Sequence, residues 1–350
     1  MHYFPRRATC LSASLLPVLM MLVNVTTTDA IYAQPAETNP RNGLLNGAPD
    51  PTGIATINAA GDTVYYVAAT GRGVQLLRST DLKHWQRSGR VFEQRVPEWA
   101  RREVPGTRGI WAPDLSYHNG LYYLYYSVST FGSQRSVIGL AVNKSMDPAS
   151  NDYQWHDRGK VIESNPEDND FNAIDPALLV DEDGRWLLFW GSHWSGLKVV
   201  EVDPATGKPK PGAEIKAVAA RPDIASHAIE APFVIFHQGY YYLFASWDGC
   251  CDGADSTYKV VVGRSREATG PYVDAEGRPM FDGGGTLVLE SSERWRGPGH
   301  NGVITSDAGQ WMVHHTYDMQ NLDAQRILQV RPMTWTKDGW PEVGEPLAVP

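Results

Sequence analysis

The sequence predicts an all-β chain built as a five-bladed β-propeller, and three observations carry that expectation. Its 350 residues combine 33 Gly and 24 Pro with 12 Trp, 16 Tyr and 9 Phe, a mix suited to many short strands and tight turns. No window beyond the N-terminal segment keeps the 3.6-residue apolar period of an amphipathic helix. Five stretches repeat one unit, and repeats of this length mark solenoids and propellers.

The N-terminus reads as an export signal over residues 1–33. Arg6 and Arg7 give a basic start, LSASLLPVLMMLVNV from Leu11 gives an apolar stretch, and Thr28-Asp29-Ala30 or Ile31-Tyr32-Ala33 offers a cleavage site. The apolar run is too short and too interrupted for a membrane span. Residues 34–350 are then expected to form a single propeller domain, secreted and monomeric.

The repeat begins at Asp50 with DPTGIATINAAGDTVYYVAAT, turning at Gly61. Four further copies are WAPDLSYHNGLYYLYYS from Trp111, DPALLVDEDGRWLLFWGS from Asp175, EAPFVIFHQGYYYLFAS from Glu230 and HNGVITSDAGQWMVHHTY from His300. In these four the turn glycine follows nine residues after the first residue, at Gly120, Gly184, Gly239 and Gly309. Each copy continues into further strand-like runs such as SVIGLAVN and YKVVVGRS. Units of 55 to 70 residues with about four strands each are the size of one propeller blade. A pair of β-sandwiches would leave five copies of one unit unexplained.

The innermost strand of every blade lines the central channel, so equivalent positions meet around one axis. Aligned on their first residues, the copies would bring Asp50, Trp111, Asp175, Glu230 and His300 together. Carboxylates are costly to bury without a function, and glycoside cleavage needs two: one to protonate the departing oxygen, one to activate water or attack carbon. Crowded carboxylates also hold a proton to higher pH. Trp111 would serve as a platform for a sugar ring. The competing explanation is that these acids bind a central cation or cap strand ends.

Charge narrows the partner. Without residues 1–33 the chain carries 29 basic and 39 acidic residues, a net of −10, which disfavours nucleic acid, anionic membranes and polyanionic substrates. A neutral polysaccharide fits better. Cys250 and Cys251 are adjacent, and in an exported protein they either form a vicinal disulfide or remain as two thiols.

The ordered motifs Asp50-Pro51, RGIWAPD (108–114), NAIDPALL (172–179), GSHWSG (191–196), IEAPFV (229–234), SWDGCCDG (246–253) and GPGHNGV (297–303) resemble glycoside hydrolase family 43, and within it the endo-1,5-α-L-arabinanases. The resemblance covers nearly the whole chain after the signal. It implies inverting hydrolysis of internal α-1,5 bonds in arabinan, with Asp50 as general base, Glu230 as general acid and Asp175 as the residue that tunes and orients the acid. It also implies a metal on the axis, calcium by precedent, next to His300. One departure is Pro49, where many members have His before the Asp-Pro pair. Rival activities are an exo-acting α-L-arabinofuranosidase or β-xylosidase on the same scaffold, and a sugar-binding propeller without turnover.

Further candidates for substrate contact are Asn172 in the third motif, His193 and Trp194 in GSHWSG, and Phe131 and Trp247 near blade-connecting loops. His314 and His315 sit on an alternating strand and read as one structural and one exposed histidine. Asp114 reads as a structural hydrogen-bonding group.

Overall fold

The computed structural model describes residues 47–58, 60–321 and 325–347; the expected export signal lies outside them. Five antiparallel sheets are arranged as a β-propeller, each built from consecutive strands. Blade 1 holds β1 (Thr52–Ile57), β2 (Thr63–Ala69), β3 (Gln75–Ser79) and β4 (Gln86–Arg90). A six-residue helix, α1 (Glu98–Glu103), leads to blade 2, with β5 (Trp111–His118), β6 (Leu121–Val128), β7 (Ser136–Asn143) and β8 (His156–Ser164). Blade 3 holds β9 (Ala177–Val180), β10 (Trp186–Trp190) and β11 (Leu197–Asp203), and two short strands, β12 (Lys208–Pro209) and β13 (Lys216–Ala219), share its outer edge by both pairing β11. Blade 4 holds β14 (Ile229–His237), β15 (Tyr240–Trp247), β16 (Lys259–Ser265) and β17 (Thr286–Leu289). Blade 5 holds β18 (Trp295–Ser306), β19 (Gly309–Asp318), β20 (Ile327–Trp335) and β21 (Pro341–Val343).

The core lies between blades. Five apolar clusters each join two neighbouring sheets: Tyr66 and Leu76 with Leu124 and Tyr126, Tyr125 and Leu140 with Trp190 and Val200, Phe189 and Val199 with Leu243 and Val261, Phe244 and Val262 with Met312 and Met333, and Val313 and Val330 with Val67 and Leu77. The second and third strands are therefore covered on both faces. That is why VYYVAA, LYYLYYSV and SVIGLAVN are almost uninterrupted apolar or aromatic runs rather than alternating ones. The last cluster closes the ring by packing blade 5 on blade 1, helped by Gly47 N–H donating to the Arg326 carbonyl at 3.1 Å. Among the described residues every sheet comes from one continuous stretch, so the closure is side-chain packing rather than a shared sheet.

The structure corrects the alignment of the repeat by one residue in two blades. Each inner strand enters through a residue with a left-handed backbone: Asp50 (φ 51°), Ala112 (40°), Asp175 (58°), Ala231 (55°) and His300 (49°). Non-glycine residues adopt that conformation only where the surroundings enforce it. Trp111 and Glu230 stand one residue ahead of the kink, and a bulge follows in β5 and β14. The shared nine-residue distance to the turn glycine misled because the hairpins differ in length: β5 and β14 turn through two residues, β9 through five.

Each kink is held by the blade before it. The N–H of Ala112 donates to Thr70 Oγ1 (2.7 Å), that of Asp175 to Ser127 Oγ (2.9 Å), that of Ala231 to Asp175 Oδ2 (3.1 Å), that of His300 to Ser246 Oγ (2.8 Å) and that of Asp50 to His315 Nδ1 (3.1 Å). These five bonds run once around the axis. They satisfy backbone donors that the strand ladder cannot reach and fix the three acids to the ring.

Candidate active site

Asp50, Asp175 and Glu230 open into one cavity of about 690 Å³ together with Trp111, Phe131, His193, His300, Cys250, Cys251 and Arg326. A second cavity of about 410 Å³ adjoins it, shares Trp111, Phe131, His193 and Glu230, and adds Asn172, Ser192 and Trp194. The two form one continuous cleft across the channel mouth.

Asp50 is buried, with one hydroxyl and one guanidinium donating to its carboxylate and two imidazoles close by. Thr70 Oγ1 donates to its Oδ2 at 2.6 Å and Arg326 Nη1 to its Oδ1 at 3.3 Å. His315 Nδ1 and His300 Nδ1 lie 3.2 and 3.6 Å from Oδ1. Burial alone would raise its pKa, but the Arg326 guanidinium beside it holds it far below the usual carboxylate range. Asp50 is thus favoured as the anion, the state a general base needs.

Asp175 is the opposite case. Burial first, then the charges of Glu230 and Asp50, push its pKa well up, against the single N–H of Ala231 that favours the anion. The carboxyl cluster therefore holds a proton next to an ionised Asp50, the separation of acid and base that crowded carboxylates produce.

Glu230 is clamped at both oxygens. Ser192 Oγ donates to Oε2 and Tyr258 Oη to Oε1, each at 2.7 Å. Tyr258 is itself a neutral phenol, its pKa raised by burial and by Glu230 and Asp175. His193 Nδ1 lies 2.8 Å from the Ser226 carbonyl, leaving Nε2 3.9 Å from Glu230 Oε2. Both His193 (φ 52°) and Trp194 (φ 40°) have left-handed backbones, a costly arrangement for two bulky neighbours.

Most expected contact residues reach the cleft. Trp111, Phe131, Asn172, His193 and Trp194 line it, with Phe131 88% exposed at the mouth and Asn172 Oδ1 accepting from Ser136 Oγ at 2.7 Å. Trp247 does not. The Arg221 guanidinium stacks 4.4 Å from its ring centre, and the indole packs against the core between blades 3 and 4. His314 and His315 are also corrected, since both are fully buried and neither is exposed. Burial pushes their pKa down to about 3 and about 4, and His315 is the acceptor that anchors Asp50. Asp114 is structural as expected, with Thr52 Oγ1 and the Leu178 N–H as its donors. Cys250 and Cys251 are bonded to each other.

Thr70, Ser192, Tyr258, His315 and Arg326 were not among the sequence candidates. Thr70, Ser127, Ser192 and Ser246 end the first four copies of the repeat, at or near the end of the second strand, so a repeated hydroxyl was there to be read. Tyr258 and Arg326 carry no such mark, because they stand just ahead of third strands, outside the repeated hairpin.

His300 offers one buried ring nitrogen whose pKa burial lowers, and its acidic neighbour Asp50 is already bonded to Thr70 and Arg326. Among the described residues no group of three or more His, Cys, Asp or Glu could hold a metal. This donor set does not fit a calcium ion bound by protein oxygens.

The profile of glycosyl hydrolases family 43 matches residues 41–341. The chain is a member of that family. It is 43% identical over 294 residues to the extracellular exo-α-(1→5)-L-arabinofuranosidase of Cellvibrio japonicus, covering 81% of this chain and 84% of that protein. It is 39% identical over 318 residues to the extracellular endo-α-(1→5)-L-arabinanase 1 of Bacillus subtilis, covering 90% and 92%. The structure of a Cellvibrio cellulosa α-L-arabinanase complexed with arabinohexaose superposes with a TM-score of 0.79 at 40% identity, covering 86% of this chain and 96% of that one.

Proposed function

We propose that the protein is an exported endo-1,5-α-L-arabinanase that hydrolyses arabinan with inversion. Asp50 removes a proton from water, Glu230 protonates the departing sugar oxygen, and Asp175 supplies the proton reservoir beside Glu230 and orients it through the Ala231 N–H. The supporting physics is the contrast between an Asp50 held as an anion and an Asp175 held protonated in the same cavity. Trp111, Phe131, His193 and Trp194 provide faces and edges for neighbouring furanose rings. Export is supported by the basic and apolar N-terminal pattern and by the extracellular names of two relatives.

The observation that favours internal cleavage is the reach of the cleft: Glu230 lines both cavities, one of which also takes in Cys250 and the other Trp194. Exo-action is the second reading, favoured by the name of the Cellvibrio japonicus relative. Product size during digestion of debranched arabinan separates them. Oligosaccharides of mixed length at early times support the endo assignment, and release of one short product from the first minutes overturns it.

A further inference from the structure

The Cys250–Cys251 disulfide lies in the loop between β15 and β16 and forms part of the cleft wall beside Asp50. Arg326 stands between them. Its Nη1 is 3.3 Å from Asp50 Oδ1, 3.4 Å from Cys251 Sγ and 4.0 Å from Cys250 Sγ. The loop is tied down on either side of the sulphurs: Asp248 pairs with Lys259 at 2.9 Å and with Arg221 at 2.5 Å, and Ser256 Oγ donates to the Gly249 carbonyl at 2.7 Å. The Arg326 carbonyl is fixed by Gly47 N–H. With its backbone carbonyl fixed and Nη1 set between a carboxylate and two sulphurs, the side chain has little freedom to turn away from either.

The geometry points to the disulfide as a positioning element for the reaction proposed above: it keeps neutral sulphur against Arg326, so that the guanidinium is committed to the water-activating carboxylate. The inference rests on Asp50 being that base. Bonded sulphur carries no charge and is a weak acceptor, whereas a cysteine thiol next to an arginine ionises readily. Opening the bond with a water-soluble phosphine consumes one water, converts the phosphine to its oxide and leaves two thiols. Loss of a proton to solvent from the thiol nearest Nη1 then places a thiolate within contact distance of Arg326. That anion competes with Asp50 for the same donor, and the base loses the group that fixes the direction of its Oδ1.

The test compares oxidised and phosphine-reduced wild-type enzyme on debranched arabinan, with mass spectrometry confirming that the bond has opened. Reduction is expected to lower kcat about tenfold, the worth of one charge-assisted hydrogen bond, with little change in KM and recovery on reoxidation. Arg326→Gln is expected to lower kcat by a similar factor and to remove the response to phosphine, as in a double-mutant cycle. A Cys250→Ala/Cys251→Ala variant is expected to be indifferent to phosphine. Full kcat after reduction, a rise in KM alone, or an Arg326→Gln enzyme that still responds as the wild type does would each overturn the inference. Asp50→Asn keeps the two hypotheses apart. If that variant stays active the base assignment fails; if it is inactive while reduction has no effect, only the role of the disulfide fails.

Discussion

Tyr258 donates its phenolic hydrogen to Glu230 Oε1 at 2.7 Å from a ring that passes directly over Gly299. A Cβ at Gly299 would lie 2.0 Å from the ring, so glycine is what lets the phenol reach the carboxyl. Tyr258→Phe is expected to lower kcat by about 10- to 100-fold with KM nearly unchanged, since the lost bond orients the acid rather than the sugar. Gly299→Ala should act in the same direction by displacing the ring. Steady-state kinetics on debranched arabinan checks both.

Ser127→Ala leaves the Asp175 N–H buried without its acceptor. The expected loss is about 1–3 kcal/mol in unfolding free energy, read from a urea midpoint at unchanged slope. The equivalent substitution at Ser246 should cost a comparable amount, because it orphans the His300 N–H. A conservative Ser→Thr change at Ser127 keeps the acceptor and should lose less.

Asp114 links acid–base behaviour to stability. Burial raises its pKa to about 7, against the opposing bonds from Leu178 N–H and Thr52. A folded-state pKa above the unfolded one means the fold binds the proton more tightly. Its contribution is complete below about pH 4 and is lost as pH rises through about 7. Asp114→Asn removes the titration while keeping one acceptor for Leu178 and a donor toward Thr52. The wild type should therefore lose stability relative to this variant between pH 4 and pH 8, by at most about 4 kcal/mol. Thermal melts of both proteins across that range decide it.

Phe131 projects from the cleft mouth with 88% of its surface exposed and borders both cavities. Phe131→Ala is expected to raise KM for polymeric arabinan several-fold while leaving the folding transition in place. Its effect on a disaccharide-sized substrate should be smaller if the ring serves a sugar away from the scissile bond. Equal effects on both substrates would move Phe131 to the bond itself.

The fold was legible because five copies of a hairpin unit survive in the chain, each with its own glycine turn. The acids were legible for the same reason, as polar residues at the mouth of apolar inner strands. The one-residue offset at Trp111 and Glu230 was not, because hairpin turns of two and five residues place the turn glycine at the same distance from different starting points. Trp247 was misplaced because an indole near a loop has the same sequence signature whether it meets a sugar or, as here, a guanidinium from Arg221. Arg326 lay beyond sequence reasoning altogether. It meets Asp50 across 276 positions, at the seam where blade 5 packs on blade 1.

The central claim is that Asp50 and Glu230 act on opposite sides of the scissile bond, with water attacking directly. Proton NMR of the anomeric signals in the first minutes of arabinan hydrolysis tests it most directly. Reducing ends that first appear in the β configuration, then equilibrate, are the predicted result. Reducing ends that first appear in the α configuration would contradict it.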